Sequence, residues 1–236
     1  IQPGFAVVRY DSSGALDPSF GEGGKVVVDL LAGSEWYDDS LAVALQADGK
    51  IVVAGAGGPE SFALARLNAD GTIDDGGPSD STPSDSFGNN GIVEISFYGH
   101  NDTAKAVAIQ ADGKIVAAGT AELVDPEDHY ITWHVGVVVR CLEDGSLDPT
   151  FGLYGTLTLG PQAYSTDVSA LVIQPDAKIV LGGRSESASG GGVDFTVTRI
   201  DSAGELDLDF GEGGAVSTDF FGGFDEVSAI ALAADG

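Results

Sequence analysis

Short apolar runs of five or six residues, each broken by glycine, aspartate or asparagine, fill this chain from end to end. Between residues 39 and 95 they read LAVALQ, KIVVAG, FALARL and GIVEIS; ADGK separates the first two and NADG follows the third. Apolar runs of this length between turn residues predict β-strands, and helical periodicity is nearly absent. The glycine of ADGK supplies the positive φ that a tight hairpin turn needs. Four such runs in succession predict an antiparallel meander.

The pattern then repeats. FAVVRY (5–10) aligns with FALARL (62–67), GVVVRC (136–141) and FTVTRI (195–200). Eight residues after each arginine stands an aspartate, giving the pairs Arg9/Asp17, Arg66/Asp74, Arg140/Asp148 and Arg199/Asp207. A Phe-Gly follows at Phe20, Phe87, Phe151 and Phe210. Alanine-rich runs LAVAL (41–45), KAVAI (105–109), SALVI (169–173) and SAIAL (228–232) lead into QADGKIVVAG, QADGKIVAAG, QPDAKIVLGG and a final AADG. Four strands in a unit of about sixty residues is the pattern of a propeller blade, and small residues suit an innermost strand, where blades crowd. The predicted fold is therefore all-β, a β-propeller of four-stranded antiparallel blades. Residues 1–236 form a single propeller or propeller segment, with a partial blade near 5–30, complete blades at 39–95, 103–159 and 166–219, and a partial one at 227–236. The ends leave three arrangements open: a four-bladed ring lacking one strand, a segment of a longer array, or a broken blade completed by a neighbouring molecule. The array is the favoured one, because a blade lacking its second strand leaves unpaired edges.

The order FALARxNxDGxLDxxFGxxG followed by AVALQxDGKIVVAG resembles the delta-60 repeat, a bacterial β-propeller repeat of otherwise unknown function, over nearly the whole chain. The resemblance implies a propeller that is part of a large secreted or surface protein, and it implies no activity. Gly136 in place of the phenylalanine and Ala177 in place of a turn glycine depart from it.

Charge narrows the function classes. Ten Lys and Arg face 37 Asp and Glu, for a formal net charge of −27. Nucleic-acid binding needs a basic patch that displaces counterions, so nucleic acid is excluded as a partner. Anionic membranes are disfavoured and no apolar run is long enough for a helical span, so no membrane insertion is expected. Solubility, high salt, divalent cations and basic partners are all compatible. No signal peptide is visible. A chain starting at Ile1 is expected to have an upstream segment, and the expected location, extracellular or cell surface, follows from the resemblance. The single cysteine, Cys141, aligns with Tyr10, Leu67 and Ile200 and is read as a buried, inert thiol.

Residues that recur in every blade are read as structural. The Arg/Asp pairs are expected to fix the corner between the third and fourth strands, by bidentate pairing or an aspartate-to-backbone bond, with the phenylalanine as a plug between blades. The alternative is calcium at Asp11, Asp17, Asp70, Asp74, Asp201 and Asp207. Calcium takes six to eight oxygens, and each turn offers two or three. No other cofactor is expected.

Function is sought where the copies differ. Three insertions stand out: DGGPSDSTPSDS (75–86), read as solvated, TAELVDPEDHYITWHV (120–135), and RSESASGGGVD (184–194), read as flexible. Meander topology puts the second of these on the same face as GSEWYDDS (33–40). That face gathers Trp36, Tyr37, Asp38, Asp39, Asp125, Asp128, His129, Tyr130 and Trp133. Aromatic rings beside carboxylates suit a sugar or a peptide, and the bland alternative is that both tryptophans cap blade edges. His129, His134 and Asp125 are weak metal candidates. No G-x-S-x-G, H-E-x-x-H or phosphate-binding glycine loop is present, so a propeller hydrolase using Asp38, Asp39 or Glu127 is kept only as an alternative. The expected function is a non-catalytic structural or adhesive module of a larger bacterial surface protein or fibre. Its partners would be other domains or subunits of that assembly, with a glycan or peptide ligand as the alternative.

Overall fold

The computed structural model describes residues 4–30, 39–57, 61–98, 101–124, 132–159, 166–186 and 192–233. Among them are fourteen β-strands and no helix. β1 (Phe5–Val8) and β2 (Lys25–Val28) form a two-stranded antiparallel sheet. β3 (Asp39–Leu45), β4 (Ile51–Gly57), β5 (Ser61–Leu67) and β6 (Ile92–Ile95) make a four-stranded meander in sequence order. So do β7 (Thr103–Ile109), β8 (Ile115–Val124), β9 (Thr132–Cys141) and β10 (Thr156–Leu159), and then β11 (Thr166–Ile173), β12 (Ile179–Glu186), β13 (Val193–Ile200) and β14 (Ala215–Thr218). All neighbours are antiparallel.

The core lies between consecutive sheets rather than inside any one. One apolar cluster joins β1 and β2 to β4 and β5 around Phe5 and Phe20. A second joins Val52, Phe62 and Leu64 to Val137, Val139 and Cys141 around Phe87. A third joins Val116 and Val138 to Leu171, Ile179 and Ile200 around Phe151. Phe20, Phe87 and Phe151 are each 0% exposed, the plug position expected of them. Burying such a ring contributes about 1.5–3 kcal/mol.

Each inner strand carries a one-residue register shift, between Ser40 and Ala42, Ala104 and Ala106, and Val168 and Ala170. A bulge like this bends the strand. The residue facing it on the next strand is Gly55, Gly119 or Gly183. A methyl group at Gly119 or Gly183 would run into the carbonyl oxygen of Thr103 or Asp167, so the glycine that closes KIVAAG and KIVLGG is required by the bulge opposite it.

The insertions differ from expectation. Residues 120–135 begin and end as strand: β8 and β9 extend beyond the repeat and pair Leu123 with Trp133 and Val124 with Thr132. Apolar and β-branched side chains at both ends of the insertion favour that extension over a loop. Arg184–Glu186 likewise pair with Val193–Phe195. Segment 75–86 is not simply solvated. Asp80 is 7% exposed; it accepts from Asn68 Nδ2 (2.6 Å), Gly76 N (2.6 Å) and Thr82 N (2.7 Å), and Lys50 Nζ reaches Thr82 and Asp85. Residues 227–232 form no strand ladder, although Val227 is buried and its N–H donates to Gly183 O at 3.1 Å. No second strand is present among the described residues for them to pair with.

Candidate functional site

The chemistry that recurs is concentrated at the corner between the third and fourth strands of each unit. There the aspartate N–H donates to the arginine carbonyl: Asp17 to Arg9 and Asp74 to Arg66 at 3.0 Å, Asp148 to Arg140 and Asp207 to Arg199 at 2.9 Å. This eight-residue closure turns both side chains the same way. Arg Nε then donates to Asp Oδ2 at 2.9 Å (Arg9), 2.8 Å (Arg140) and 2.6 Å (Arg199), and Arg66 bonds Asp74 in the same manner. Each guanidinium lies 4.5–4.7 Å over the ring of the following Phe-Gly, a cation–π contact. Ser19 and Thr150 donate hydroxyl and N–H to Oδ1 of Asp17 and Asp148.

Two further partners had no place in the sequence reading. The lysine of the QADGK turn joins the same aspartate: Lys50 Nζ to Asp74 at 2.9 Å, Lys178 to Asp207 at 2.8 Å, and Lys114 3.2 Å from Asp148. Its recurrence in three copies was the signal available. The arginine also crosses to the next sheet. Nη1 of Arg9 donates to Ala69 O, that of Arg66 to Glu143 O, and that of Arg140 to Ser202 O at 2.5 Å.

The electrostatics follow from these contacts. Burial alone would raise Asp148, but hydrogen bonds from Thr150 and the Lys114 and Arg140 charges hold it well below the usual carboxylate range. The Lys178 ammonium, then Arg199, lower Asp207 against the effect of burial; the Ser19 hydrogen bonds lower Asp17. Burial disfavours charged Lys50, yet Asp85 and Asp74 more than offset it and raise its pKa.

The six calcium candidates sit in these turns. Asp11 and Asp201 accept backbone N–H groups of their own turns, and Asp70 accepts Thr72. Asp17, Asp74 and Asp207 accept the chain's own cations. Among the described residues no group of three or more His, Cys, Asp or Glu side chains is placed to hold a metal ion.

Beside the corners a cleft of about 530 Å³ opens between the second and third sheets. It is lined by Asp48, Asp85, Asp112, Glu143 and Asp144, with Arg66, Gln46 and Gln110. Gln46 and Gln110 are 9% and 8% exposed, and neither buried Oε1 accepts a hydrogen bond. Gln174, at the same repeat position outside the cleft, likewise has a buried Oε1 without a partner among the described residues, so what distinguishes the cleft is its five carboxylates, which suit a cationic donor.

A second polar cluster lies between the units of β7–β10 and β11–β14. Asp167, 3% exposed, accepts Thr120 Oγ1 (2.9 Å) and Arg184 Nε (2.5 Å), with His134 Nδ1 at 3.4 Å and Lys105 Nζ at 3.6 Å. Burial would raise its pKa, but His134, Lys105, Thr120 and Arg184 hold it well below normal. Conversely, the hydrogen bond to Asp167 raises His134 above its ordinary 6.5, against partial burial. A His–Asp pair is half of a nucleophile-activating device. The hydroxyl in this cluster, Thr120, spends its proton on Asp167 rather than on the imidazole. Cys141 is 0% exposed and burial pushes its thiol up to about 12, as expected of an inert packing residue.

Of the proposed aromatic face, Trp36, Tyr37, Asp38, Asp125, Asp128, His129 and Tyr130, with Glu127, lie outside the described residues. Asp39 opens β3. Trp133 sits within β9, half-buried against the Phe62–Phe87 cluster.

Comparison with known families agrees with this geometry. The family model described as "Domain of unknown function (DUF5122) beta-propeller" matches residues 1–20, 46–76 and 174–210. Each matched stretch covers an Arg/Asp corner or the turn and strands leading to it. The matched stretches are similar to the propeller repeats of that family. No curated protein matches the chain. The four-stranded sheets are accordingly propeller blades, and the description of the family assigns them no activity.

Proposed function

We propose that the chain is a non-catalytic structural module, a stiff run of propeller blades within a larger bacterial surface assembly. One observation carries this reading: the ionic and aromatic groups that recur in each blade are consumed by one another. Arginine, aspartate, lysine and phenylalanine close on themselves and on the next blade, which builds a scaffold and leaves no recurring reactive group. The net charge of −27 suits a soluble surface facing ions and basic partners. A panel of glycoside and ester substrates tests it. The expected result is no turnover; turnover that survives purification and is lost in Asp167→Asn or His134→Gln would overturn it.

The acid-lined cleft favours a second reading, capture of a cationic peptide or polyamine. Its five carboxylates would accept ammonium or guanidinium donors. Titration with an oligolysine followed by NMR is the assay. Shifts at Gln46, Gln110 and Glu143 that weaken in Glu143→Gln support the reading, and a uniform, salt-sensitive drift over the whole acidic surface sinks it.

A further inference from the structure

The turn after each Phe-Gly has one backbone in all four copies, and one copy fills it with side chains that this backbone disfavours. The second residue after the phenylalanine donates its N–H to the carbonyl of the fifth: Glu22 to Lys25 at 2.9 Å, Asn89 to Ile92 and Glu212 to Ala215 at 2.8 Å, Leu153 to Thr156 at 2.7 Å. The residue in between is left-handed, with φ of 60° at Gly23, 54° at Asn90, 55° at Tyr154 and 64° at Gly213. Glycine and asparagine suit that conformation, whereas a bulky aromatic residue adopts it under strain. Three copies accordingly carry Glu22–Gly23, Asn89–Asn90 and Glu212–Gly213, and the blade of β7–β10 carries Leu153–Tyr154.

Burial does not offset this strain. Leu153 is 72% exposed and Tyr154 is 75% exposed, and Leu147, in the same connection, is 36% exposed. The blade that carries them has a formed neighbour on each side. Arg66 and Gly88 of the blade before donate to Glu143 O and Asp144 O, and its own Arg140 and Gly152 donate to Ser202 O and Ala203 O of the blade after. The pair therefore stays in water with both junctions closed. A strained apolar pair left in water adds little to the stability of its own chain, and that combination marks a contact surface. Tyrosine is a favoured anchor at the centre of such surfaces.

The surroundings set the charge of what fits there. The connection that carries the pair, residues 142–155, exposes Glu143 and Asp144, and the turn of the next blade that seats on it exposes Glu205. The cations of this corner face inward: Arg140 is buried on Asp148, and Lys114 is held between Asp112 and Asp148. Glu143 and Asp144 also line the acid cleft, so carboxylate continues from the corner into it. We propose that Leu153 and Tyr154 anchor a basic protein segment whose apolar side chains pack on this pair while its lysines or arginines meet the carboxylates around it. A second copy of this chain, with its net charge of −27, does not suit such a surface. The inference takes the charge of the partner from the cationic reading of the cleft and its position from the Leu–Tyr pair. Oligolysine held in the cleft with no gain from added leucine defeats this inference and leaves that reading intact.

Fluorescence anisotropy with three labelled peptides is the test, in about 0.15 M salt so that distant exposed charges are screened. The probes are an alternating lysine–leucine peptide, an oligolysine with the same number of lysines, and a glutamate–leucine counterpart. The variant combines Leu153→Asn with Tyr154→Asn, which installs the pair that the β3–β6 blade carries on the same backbone and leaves the charge unchanged. The wild-type chain should bind the lysine–leucine peptide about tenfold tighter than oligolysine, and the variant should lose that tenfold. The variant should also melt no lower than the wild type, because asparagine suits the left-handed turn and little apolar contact is given up. No binding of the lysine–leucine peptide overturns the proposal, as does equal binding by wild type and variant. Equal affinity for the glutamate–leucine peptide would remove the charge selection and sink it too. A lower Tm in the variant would give the pair a role inside its own chain and overturn the argument from strain and exposure.

Discussion

Removing Arg140 should cost far more than removing Arg199, although both occupy the same position in the repeat. The Arg140 side chain is 5% exposed and that of its partner Asp148 is 2% exposed. Arg140→Ala deletes the bond to Asp148 (2.8 Å), the bond to Ser202 O in the next blade (2.5 Å), the bond to Thr150 (3.2 Å) and the stacking on Phe151. Breaking a buried pair by removing one partner costs about 3–5 kcal/mol, and Lys114, 3.2 Å from Asp148, retains one cation there, so about 3 kcal/mol is expected. The Arg199 side chain is 20% exposed, its cross-blade acceptor is missing among the described residues, and Lys178 remains on Asp207, so Arg199→Ala should cost about 1 kcal/mol. For a chain of this size each kcal/mol moves Tm by about 2–4 °C. Thermal unfolding of dilute protein should therefore show a drop of about 6–12 °C for Arg140→Ala and about 2–4 °C for Arg199→Ala. Equal drops would refute the claim that the cross-blade bond and burial, rather than the Arg–Asp pair itself, carry the difference.

Four further outcomes can be checked with the same protein. Ala177 holds φ 66° where other copies have glycine, so Ala177→Gly should relieve about 1 kcal/mol of strain and raise Tm; a lower Tm would count against it. His134 has a raised folded pKa, so its contribution is full below its ordinary 6.5 and lost as pH rises through the folded value; melting across that window should fall in the wild type and flatten in His134→Gln. Asp148, Asp167 and Asp207 have depressed folded pKa values, so their contribution is present above the ordinary carboxylate range and lost as pH drops below it; a chain equally stable on both sides of that range would contradict the pairing. Cys141 should resist a thiol reagent in the native state and react at once in denaturant, and rapid native labelling would place it at the surface.

Much of the fold was legible because the chain carries its own alignment. The spacing Arg66 to Asp74 predicted a corner, and the corner exists with both residues bonded. The other half of each junction was not legible. Its acceptors are backbone carbonyls of Ala69, Glu143 and Ser202, which have no side-chain signature and lie 60 or more residues from the arginine. Segment 75–86 misled for a related reason. Composition rightly marks most of the segment as exposed, but it does not show that Asp80 is buried or that Asp80, Asn68, Thr82 and Lys50 bond one another. The Asp167 cluster draws Lys105, Thr120, His134 and Arg184 from strands β7, β8, β9 and β12, and no local spacing announces such a gathering. Trp133 looked like a loop residue because the register of β8 against β9 continues past the repeat boundary, which no single copy reveals.

The direction of the Arg140 bond has a consequence for how the chain comes apart. Arg9, Arg66 and Arg140 each reach forward to the following blade, so the units of β3–β6 and β7–β10 are held both by what they give and by what they receive. In a linear array of near-identical units stability is set by neighbours. A blade's resistance to melting should then depend on the bonds it exchanges with its neighbours more than on its own residues.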